Sequence, residues 1–237
     1  MNHQDTHVFI GTPCYNGNVH KNYTLSLLEY ISVGIPYTVQ FLDSCSLVTL
    51  GRNELIAQFY RDADKNGYTH LFWQDADVHL PGAGLIKLLS HNVDVVAARV
   101  PIKAPLYPMK YSVRNVKKHI KEDLLQVEAA ATGAFLLTKK AVFDLIEDAK
   151  RKDRVYRMYM TDNEEFYKEA YDVFGVGVRE KEYMTEDWYM CYTLQDLGYD
   201  IHVDPTVIVS HAGSFVYQGE PYNAPQKYKF PTQHTEG

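Results

Sequence analysis

The chain is 237 residues long, with 46% hydrophobic and 23% charged residues, as in a globular protein that buries a substantial core. The formal net charge of −6 argues against a nucleic-acid partner, and no apolar run is long enough to form a transmembrane segment. The N-terminus lacks a signal-peptide pattern, and three widely spaced cysteines fit neither a disulfide framework nor a zinc site, so a cytoplasmic location is expected.

The first hundred residues alternate between short apolar runs and segments with helical periodicity. Strands are predicted at residues 7–11, 37–42, 71–73 and 93–98. Helices are predicted between them, at about 20–34, 50–60 and 82–91. This order is typical of right-handed crossovers and predicts an α/β fold with a mostly parallel central sheet. No G-x-G-x-x-G follows the first strand, which argues against a dinucleotide-binding fold.

Three loops follow the first three predicted strands, at residues 12–17, 43–52 and 75–77. In open α/β sheets, ligands bind outside the carboxyl ends of the strands. We therefore expect these three loops to face one crevice.

The third of these loops carries two carboxylates, Asp75 and Asp77, in the stretch THLFWQDADVHLP. Like charges this close raise each other's pKa unless a cation or hydrogen bonds relieve them. Oxygen ligands favour Mg²⁺ or Mn²⁺ over zinc. The alternative is an ordinary turn, in which Asp is common, with Asp77 facing solvent.

The alternation breaks after residue 98. Residues 99–128 contain three prolines and extended stretches, and the small residues from Ala129 to Ala134 then lead into a strand. Those small residues indicate either close approach of a ligand to the backbone or close packing between layers. Later elements are a helix at 139–151, a helix opening at Glu186-Asp187, and strands near 200–203 and 207–211.

Residues 152–183 are charged and rich in tyrosine, with no clean period. This pattern predicts a surface excursion or a mobile loop, which we expect to order over a bound ligand. The tyrosines suit either stacking against sugars or burial with a bonded hydroxyl. No linker or repeat is visible, so a single domain is expected over residues 1–237.

Five motifs occur in an order that resembles the GT-A-fold nucleotide-sugar glycosyltransferases. They are TPCYNG, the D-x-D pair, TGAFLL, TEDWYMCYTLQDLGY and VSHAG, and they span roughly residues 7–215. The chain resembles compact single-domain members, such as those encoded by large viruses and bacteria, rather than the membrane-anchored Golgi type. The resemblance implies a GT-A-like, Rossmann-related three-layer sandwich that transfers a hexosyl- or deoxyhexosyl-type sugar from a nucleotide-sugar donor to a carbohydrate or glycan acceptor.

The resemblance also implies a nucleotide-binding half at about residues 1–100, an acceptor-binding half at about 101–237, a metal site and a donor site. Mn²⁺ or Mg²⁺ would be held by three residues, Asp75, Asp77 and His211, although a lone histidine is more often structural. The donor is expected to be a UDP-sugar, because many members of this family use one. It would contact seven residues: Thr12, Pro13, Tyr15, Asp43, Arg52, Asp75 and Arg99. Arg52 near a helix start suits phosphate, its alternative being a solvated arginine. Arg99 would otherwise pair with an acidic loop.

Glu186 and Asp187 resemble the family's acidic pair that faces the acceptor. In inverting members the Asp accepts the proton of the attacking hydroxyl, so Asp187 is the expected base and Glu186 an acceptor ligand. The alternative is that both residues stabilise the start of their helix through its dipole.

Two other function classes remain open. A nucleotidyltransferase that makes nucleotide-sugars also needs an acidic metal site, but it usually has a Gly-rich basic loop, and TPCYNGNVHKNY contains only Gly17 and Lys21. A non-catalytic sugar-binding module would need neither acidic pair.

Overall fold

The computed structural model describes residues 6–104, 109–158 and 168–220. Five helices form there: α1 (Lys21–Ser32), α2 (Val48–Asn66), α3 (Gly82–Ser90), α4 (Lys139–Arg151) and α5 (Glu186–Asp196). The strands are β1 (Val8–Pro13), β2 (Tyr37–Leu42), β3 (His70–Gln74), β4 (Val78–His79), β5 (Val95–Ala98), β6 (Val113–Lys121), β7 (Leu124–Ala130), β8 (Ala134–Thr138), β9 (Val155–Met158), β10 (Lys168–Tyr171), β11 (Gly177–Arg179), β12 (Glu182–Met184), β13 (Ile201–Asp204), β14 (Ser210–Ala212) and β15 (Val216–Gln218). Within those ranges no helix combines the length and hydropathy needed to cross a bilayer.

The central sheet is mixed, in the order β2-β1-β3-β8-β5-β13-β7-β6. Strand β1 pairs in parallel with β2 and β3, and β13 pairs in parallel with β5. The other four pairings are antiparallel, so the predicted mostly parallel sheet is not confirmed. The apolar strand β8 lies between β3 and β5 and is antiparallel to both. In consecutive βαβ units, β3 and β5 would instead have been parallel neighbours. Hydrophobic periodicity reports that a strand is buried but not which strand it pairs with.

Helices cover both faces of this sheet, which gives the expected three layers. On one face α2, α4 and α5 bury side chains such as Phe59, Leu145 and Met190. On the other face α1 and α3 bury Tyr30 and Leu85. Both faces of the central strands are therefore apolar, as the run in β3 predicts.

Residues 152–183 form more regular structure than the sequence predicts. In the described parts, β9 pairs with β10 and β11 pairs with β12, both antiparallel. Val173 and Phe174, between the two hairpins, are buried in the core. The strands are only three or four residues long, too short for a recognisable period-2 pattern. The rest of the predicted excursion, residues 159–167, lies outside the described residues.

Candidate functional site

The loops after β1, β2 and β3 lie together because these three strands are adjacent and parallel. The His20 amide donates to the Ala76 carbonyl at 2.8 Å, and the Ser44 amide donates to the Tyr15 carbonyl at 3.0 Å. Between the first and third loops is an open cleft of about 380 Å³, lined by Pro13, Cys14, Tyr15, Asn16, Asn18, Val19, His20, Ala76 and Asp77. The strand order thus produces the crevice that the sequence predicts.

Asp77 lies at the edge of this cleft between two nitrogen groups. Its Oδ1 is 3.2 Å from Nε2 of His211, and its Oδ2 contacts the Lys103 amine. Strand β14 brings His211 there, because it pairs with β4 immediately after the D-x-D loop. Burial raises the pKa of Asp77, but hydrogen bonds from His211 and Lys103 outweigh it and hold the pKa below its ordinary value. Asp77 is therefore a carboxylate at neutral pH.

The His211 ring is oriented by a second contact. Its Nδ1 lies 2.9 Å from the Pro101 carbonyl, which only accepts hydrogen bonds, so Nδ1 carries the proton. Because Nδ1 is occupied by Pro101, the contact between Nε2 and Asp77 is a hydrogen bond only when Nε2 carries a second proton; a cation bound between the two groups would take the place of that proton. Metal-ligating histidines are commonly fixed in this way, through the nitrogen that faces away from the metal. One carboxylate oxygen and one imidazole nitrogen, side by side, therefore fit a divalent cation.

The Asp75 carboxylate is held separately from Asp77, on Arg52. The distance from Arg52 Nη2 to Asp75 Oδ1 is 2.8 Å, and the Arg52 side chain is 3% exposed. Its guanidinium lies over the rings of Trp73 and Phe174, at 5.4 and 5.9 Å from their centroids. Its Nε and Nη1 are buried without a hydrogen-bond partner in the described part of the chain. Arg52 is thus placed behind Asp75 rather than at the cleft surface.

Asp187 lies close enough to Arg52 and Asp75 for their charges to act on it. Burial, the largest effect, raises the pKa of Asp187 to about 6; Arg52 and a hydrogen bond from Thr132 lower it, while Glu186 and Asp75 raise it. The carboxylate accepts that bond from Thr132, and Thr185 at the helix start makes no side-chain cap. A buried carboxylate with a pKa near neutrality, next to other charged groups, is typical of acid–base sites.

The other predicted donor residues lie in different environments. The buried Thr12 hydroxyl bonds the Tyr23 hydroxyl at 2.6 Å, whereas Tyr15 is 67% exposed beside the cleft. Asp43 is exposed in the loop after β2. Arg99 is buried, its guanidinium donates to the Pro205 and Glu220 carbonyls at 2.9 and 3.0 Å, and it lies over the Tyr111 ring. These hydrogen bonds connect the end of β5 to the chain after β13.

Sequence reasoning missed three residues around the acidic groups. Lys103 contacts Asp77 and belongs to no motif, whereas Thr132 contacts Asp187 and opens the TGAFLL motif, for which no contact was predicted. Gly133 follows Thr132, and a Cβ at that position would lie 3.1 Å from Oδ2 of Asp75. The small residues before β8 therefore let the backbone pack closely against the Asp75 carboxylate. The Thr-Gly pair at the end of the alanine run was the available signal.

A second acidic group also escaped the sequence analysis. In the described ranges, one cluster brings three side chains of the kinds that bind metals together, with their ligand atoms within 4.8 Å of one another: His91, Asp123 and Asp204. His91 Nε2 is 2.7 Å from Asp204, and the Lys87 amine is 3.6 Å from both carboxylates. Asp204 also accepts from the amide and hydroxyl of Thr206 at 2.7 and 2.6 Å. These contacts already balance its charge, so we interpret the group as a structural ion network.

Comparisons with known proteins identify no family. No protein-family model matches the chain, and no curated protein matches it. Among solved structures, the protein A197 from STIV is similar over 95% of this chain and 100% of its own, with a TM-score of 0.51 and 13% identity. At that identity the similarity concerns the fold alone.

Two further solved structures are similar at lower scores. A glycosyltransferase involved in glycosylation of the major capsid of PBCV-1 has a TM-score of 0.35 and 14% identity, over 59% of this chain and 63% of its own. The nucleoside-diphosphate-sugar pyrophosphorylase from Vibrio cholerae RC9 has a TM-score of 0.40 and 13% identity, over 84% of this chain and 72% of its own. Neither score is high enough to bear on the function of this chain.

Proposed function

We propose that the protein is a metal-dependent glycosyltransferase that moves a sugar from a nucleoside-diphosphate sugar to a glycan hydroxyl, with inversion at the anomeric carbon. One observation carries this proposal. Asp77 with His211 adjoins an open cleft, while Asp75, Arg52 and the high-pKa carboxylate Asp187 form a connected group next to it. The first group suits a diphosphate with its cation, and the second suits removal of a proton.

The donor nucleotide occupies the cleft between the first loop and the D-x-D loop. Tyr15 offers an exposed ring there, and Pro13 forms the adjoining wall. Asp43 is on the neighbouring loop, where its carboxylate suits the ribose or the base. Arg52 holds Asp75 in place from behind, so in this proposal it orients the donor site without touching phosphate. The family's preference makes UDP the first nucleotide to test.

The diphosphate leaving group is held by Asp77, His211 and Lys103. A divalent cation bound to Asp77 and His211 would supply Lewis-acid neutralisation of the charge on the departing diphosphate. The Lys103 amine lies at the second oxygen of Asp77. In this proposal its positive charge also acts on the diphosphate. A nucleoside diphosphate departs more readily when its charge is neutralised in this way.

Asp187 accepts the proton of the acceptor hydroxyl. As that proton moves to Asp187, the acceptor oxygen forms a bond to the anomeric carbon. The bond from that carbon to the diphosphate oxygen breaks with its electron pair leaving on the diphosphate. The bond from Thr132 and the charge of Arg52 both favour the ionised base before the reaction. A base positioned in this way contributes about 10²–10⁴-fold to the rate.

Isothermal titration with UDP, GDP and nucleoside triphosphates, with and without Mn²⁺, tests this function. Binding of a nucleoside diphosphate that requires Mn²⁺ is the expected result. Preference for a triphosphate would instead indicate a nucleotidyltransferase, and no nucleotide binding would indicate a sugar-binding module. As a control, Asp200→Asn removes an exposed carboxylate on the loop before β13 and should bind nucleotide as the wild type does.

A further inference from the structure

A groove of about 220 Å³ lies between α5 and the β11–β12 hairpin. Its floor includes Tyr189, Tyr192 and Thr193 of α5, and its far wall includes Gly177 and Val178 of the hairpin. Cavities that enclose drug-sized ligands are larger, at about 300–1,000 Å³, so this groove suits one part of an extended ligand rather than a whole small molecule.

The groove continues the line of the acidic pair along α5. Glu186 is followed at helical spacing by Tyr189, Thr193 and Asp196, which all line the groove. Residues at these spacings share one face of an α-helix. A ligand lying along this face therefore has one end beside Glu186 in the first turn, next to the proposed base.

The hairpin is joined to the catalytic group at both of its ends. Phe174, just before it, packs on the guanidinium of Arg52 at 5.9 Å. β12 ends at Met184, two residues before Glu186, and Glu182 within it pairs with Arg114. The hairpin is therefore linked to Arg52 through the buried Phe174 and to the start of α5 through Met184.

The chemistry of the groove fits a neutral sugar. Its charged side chains are balanced, since Arg179 pairs with Asp196 at 3.2 Å and Lys152 pairs with Asp148 at 2.8 Å. Paired ions retain donors and acceptors for hydroxyls, while they offer no net charge to attract an anion. Val178, which is 75% exposed, supplies apolar surface for the face of a sugar ring. The rings of Tyr189 and Tyr192 also line the groove, each with a guanidinium over it, from Arg154 at 5.8 Å and Arg179 at 4.9 Å.

We propose that this groove binds the glycan acceptor, with successive sugar units lying along α5 and the terminal hydroxyl reaching Asp187. This inference rests on the proposed function and deepens it, because it names an uncharged oligosaccharide as the acceptor class. The aromatic and ion-paired side chains hold the sugars that do not react, and they thereby orient the one that does.

Gly177→Trp tests the proposal by filling the groove. A Cβ at Gly177 meets no heavy atom within 4 Å, and its φ lies outside the left-handed region, so the variant is expected to fold. The matched control is Ile120→Trp, at an exposed position on β6, where Ile120 is 44% exposed. Binding of the wild type and of both variants is measured on a high-density array of neutral and acidic oligosaccharides without nucleotide, and UDP binding with Mn²⁺ is measured separately by titration.

We expect the wild type and Ile120→Trp to retain the same neutral oligosaccharides, and Gly177→Trp to bind them at least tenfold more weakly. Equal binding by Gly177→Trp, no oligosaccharide bound by the wild type, or preference for acidic glycans would overturn the proposal. The titration is independent of these outcomes. If Gly177→Trp loses oligosaccharide binding but the wild type binds no nucleotide, the groove is a glycan site and the transferase function is wrong.

Discussion

Asp187→Asn distinguishes a catalytic base from a residue that merely stabilises the start of its helix. Asparagine has nearly the same shape and can still accept the hydrogen bond from Thr132, but it cannot accept a proton. If Asp187 is the base, transfer should fall by about 10²–10⁴-fold while UDP affinity stays unchanged. If it only stabilises the helix end, activity should persist and stability should fall by about 0.5–2 kcal/mol.

From the structure, however, Asp187→Asn is expected to raise the stability of the folded protein at neutral pH rather than lower it. Burial raises the pKa of Asp187 from 3.8 to about 6, so the folded protein binds this proton more tightly than the unfolded chain does. That contribution to stability is present below the unfolded pKa and is lost as the pH rises through about 6. At about 1.36 kcal/mol per pKa unit, the ionised carboxylate costs about 3 kcal/mol at pH 7. Asp187→Asn removes this cost.

The assay is thermal unfolding in EDTA at pH 4 and pH 7, together with turnover. At pH 7 the variant should melt roughly 6–12 °C above the wild type, since 1 kcal/mol corresponds to about 2–4 °C for a chain of this size. At pH 4 the difference should nearly vanish. Asp64→Asn, at an exposed carboxylate of α2, is the control and should show no such dependence on pH. A variant of Asp187 that melts at a lower temperature than the wild type and turns over normally would show that Asp187 is not the base.

Three further predictions concern the metal, the buried arginine and the hairpins. Asp77→Asn should abolish Mn²⁺-dependent donor hydrolysis and leave the circular dichroism spectrum unchanged; full activity would remove Asp77 from the site. Arg52→Gln should lower the unfolding free energy by up to about 3–5 kcal/mol, because it breaks a largely buried ion pair. The loss should be smaller than this limit, since the Asp75 side chain is 32% exposed and water can solvate its carboxylate. A change too small for denaturant titration to detect would contradict this prediction. Hydrogen exchange in residues 168–183 should slow when UDP and Mn²⁺ bind, because Phe174 adjoins Arg52; equal protection in both states would mean rigid structure.

The first half of the chain was predictable because its elements are strongly apolar and periodic. The strand predicted at 37–42 agrees with β2 at both ends, and the run Leu71 to Trp73 forms the centre of β3. The β6–β7 hairpin was not predicted. Seven of the nine residues of β6 are exposed, several of them charged, as is common at the edge of a sheet. Such a strand has no hydrophobic alternation by which sequence could reveal it.

The acidic residues of the site were predictable from their motifs, but their partners were not. Arg52 contacts Asp75 across 23 positions, and Lys103 contacts Asp77 across 26. These contacts depend on which strands are neighbours, and the insertion of β8 next to β3 is not encoded in any local pattern. Arg52 was expected to face phosphate because arginines near helix starts often do, yet Trp73 and Phe174 enclose it. Phe174 lies between the two hairpins, so its position over Arg52 depends on how they pack.

The metal site and the nucleotide site can be located together in a structure with UDP and Mn²⁺ bound, because anomalous scattering identifies the manganese independently of any assumption about the site. We expect one manganese peak within about 2.6 Å of both the Asp77 carboxylate and His211 Nε2, with the diphosphate in the cleft beside the first loop. A nucleotide bound elsewhere, or a manganese peak on His91, Asp123 and Asp204 with Asp77 facing away, would contradict this expectation.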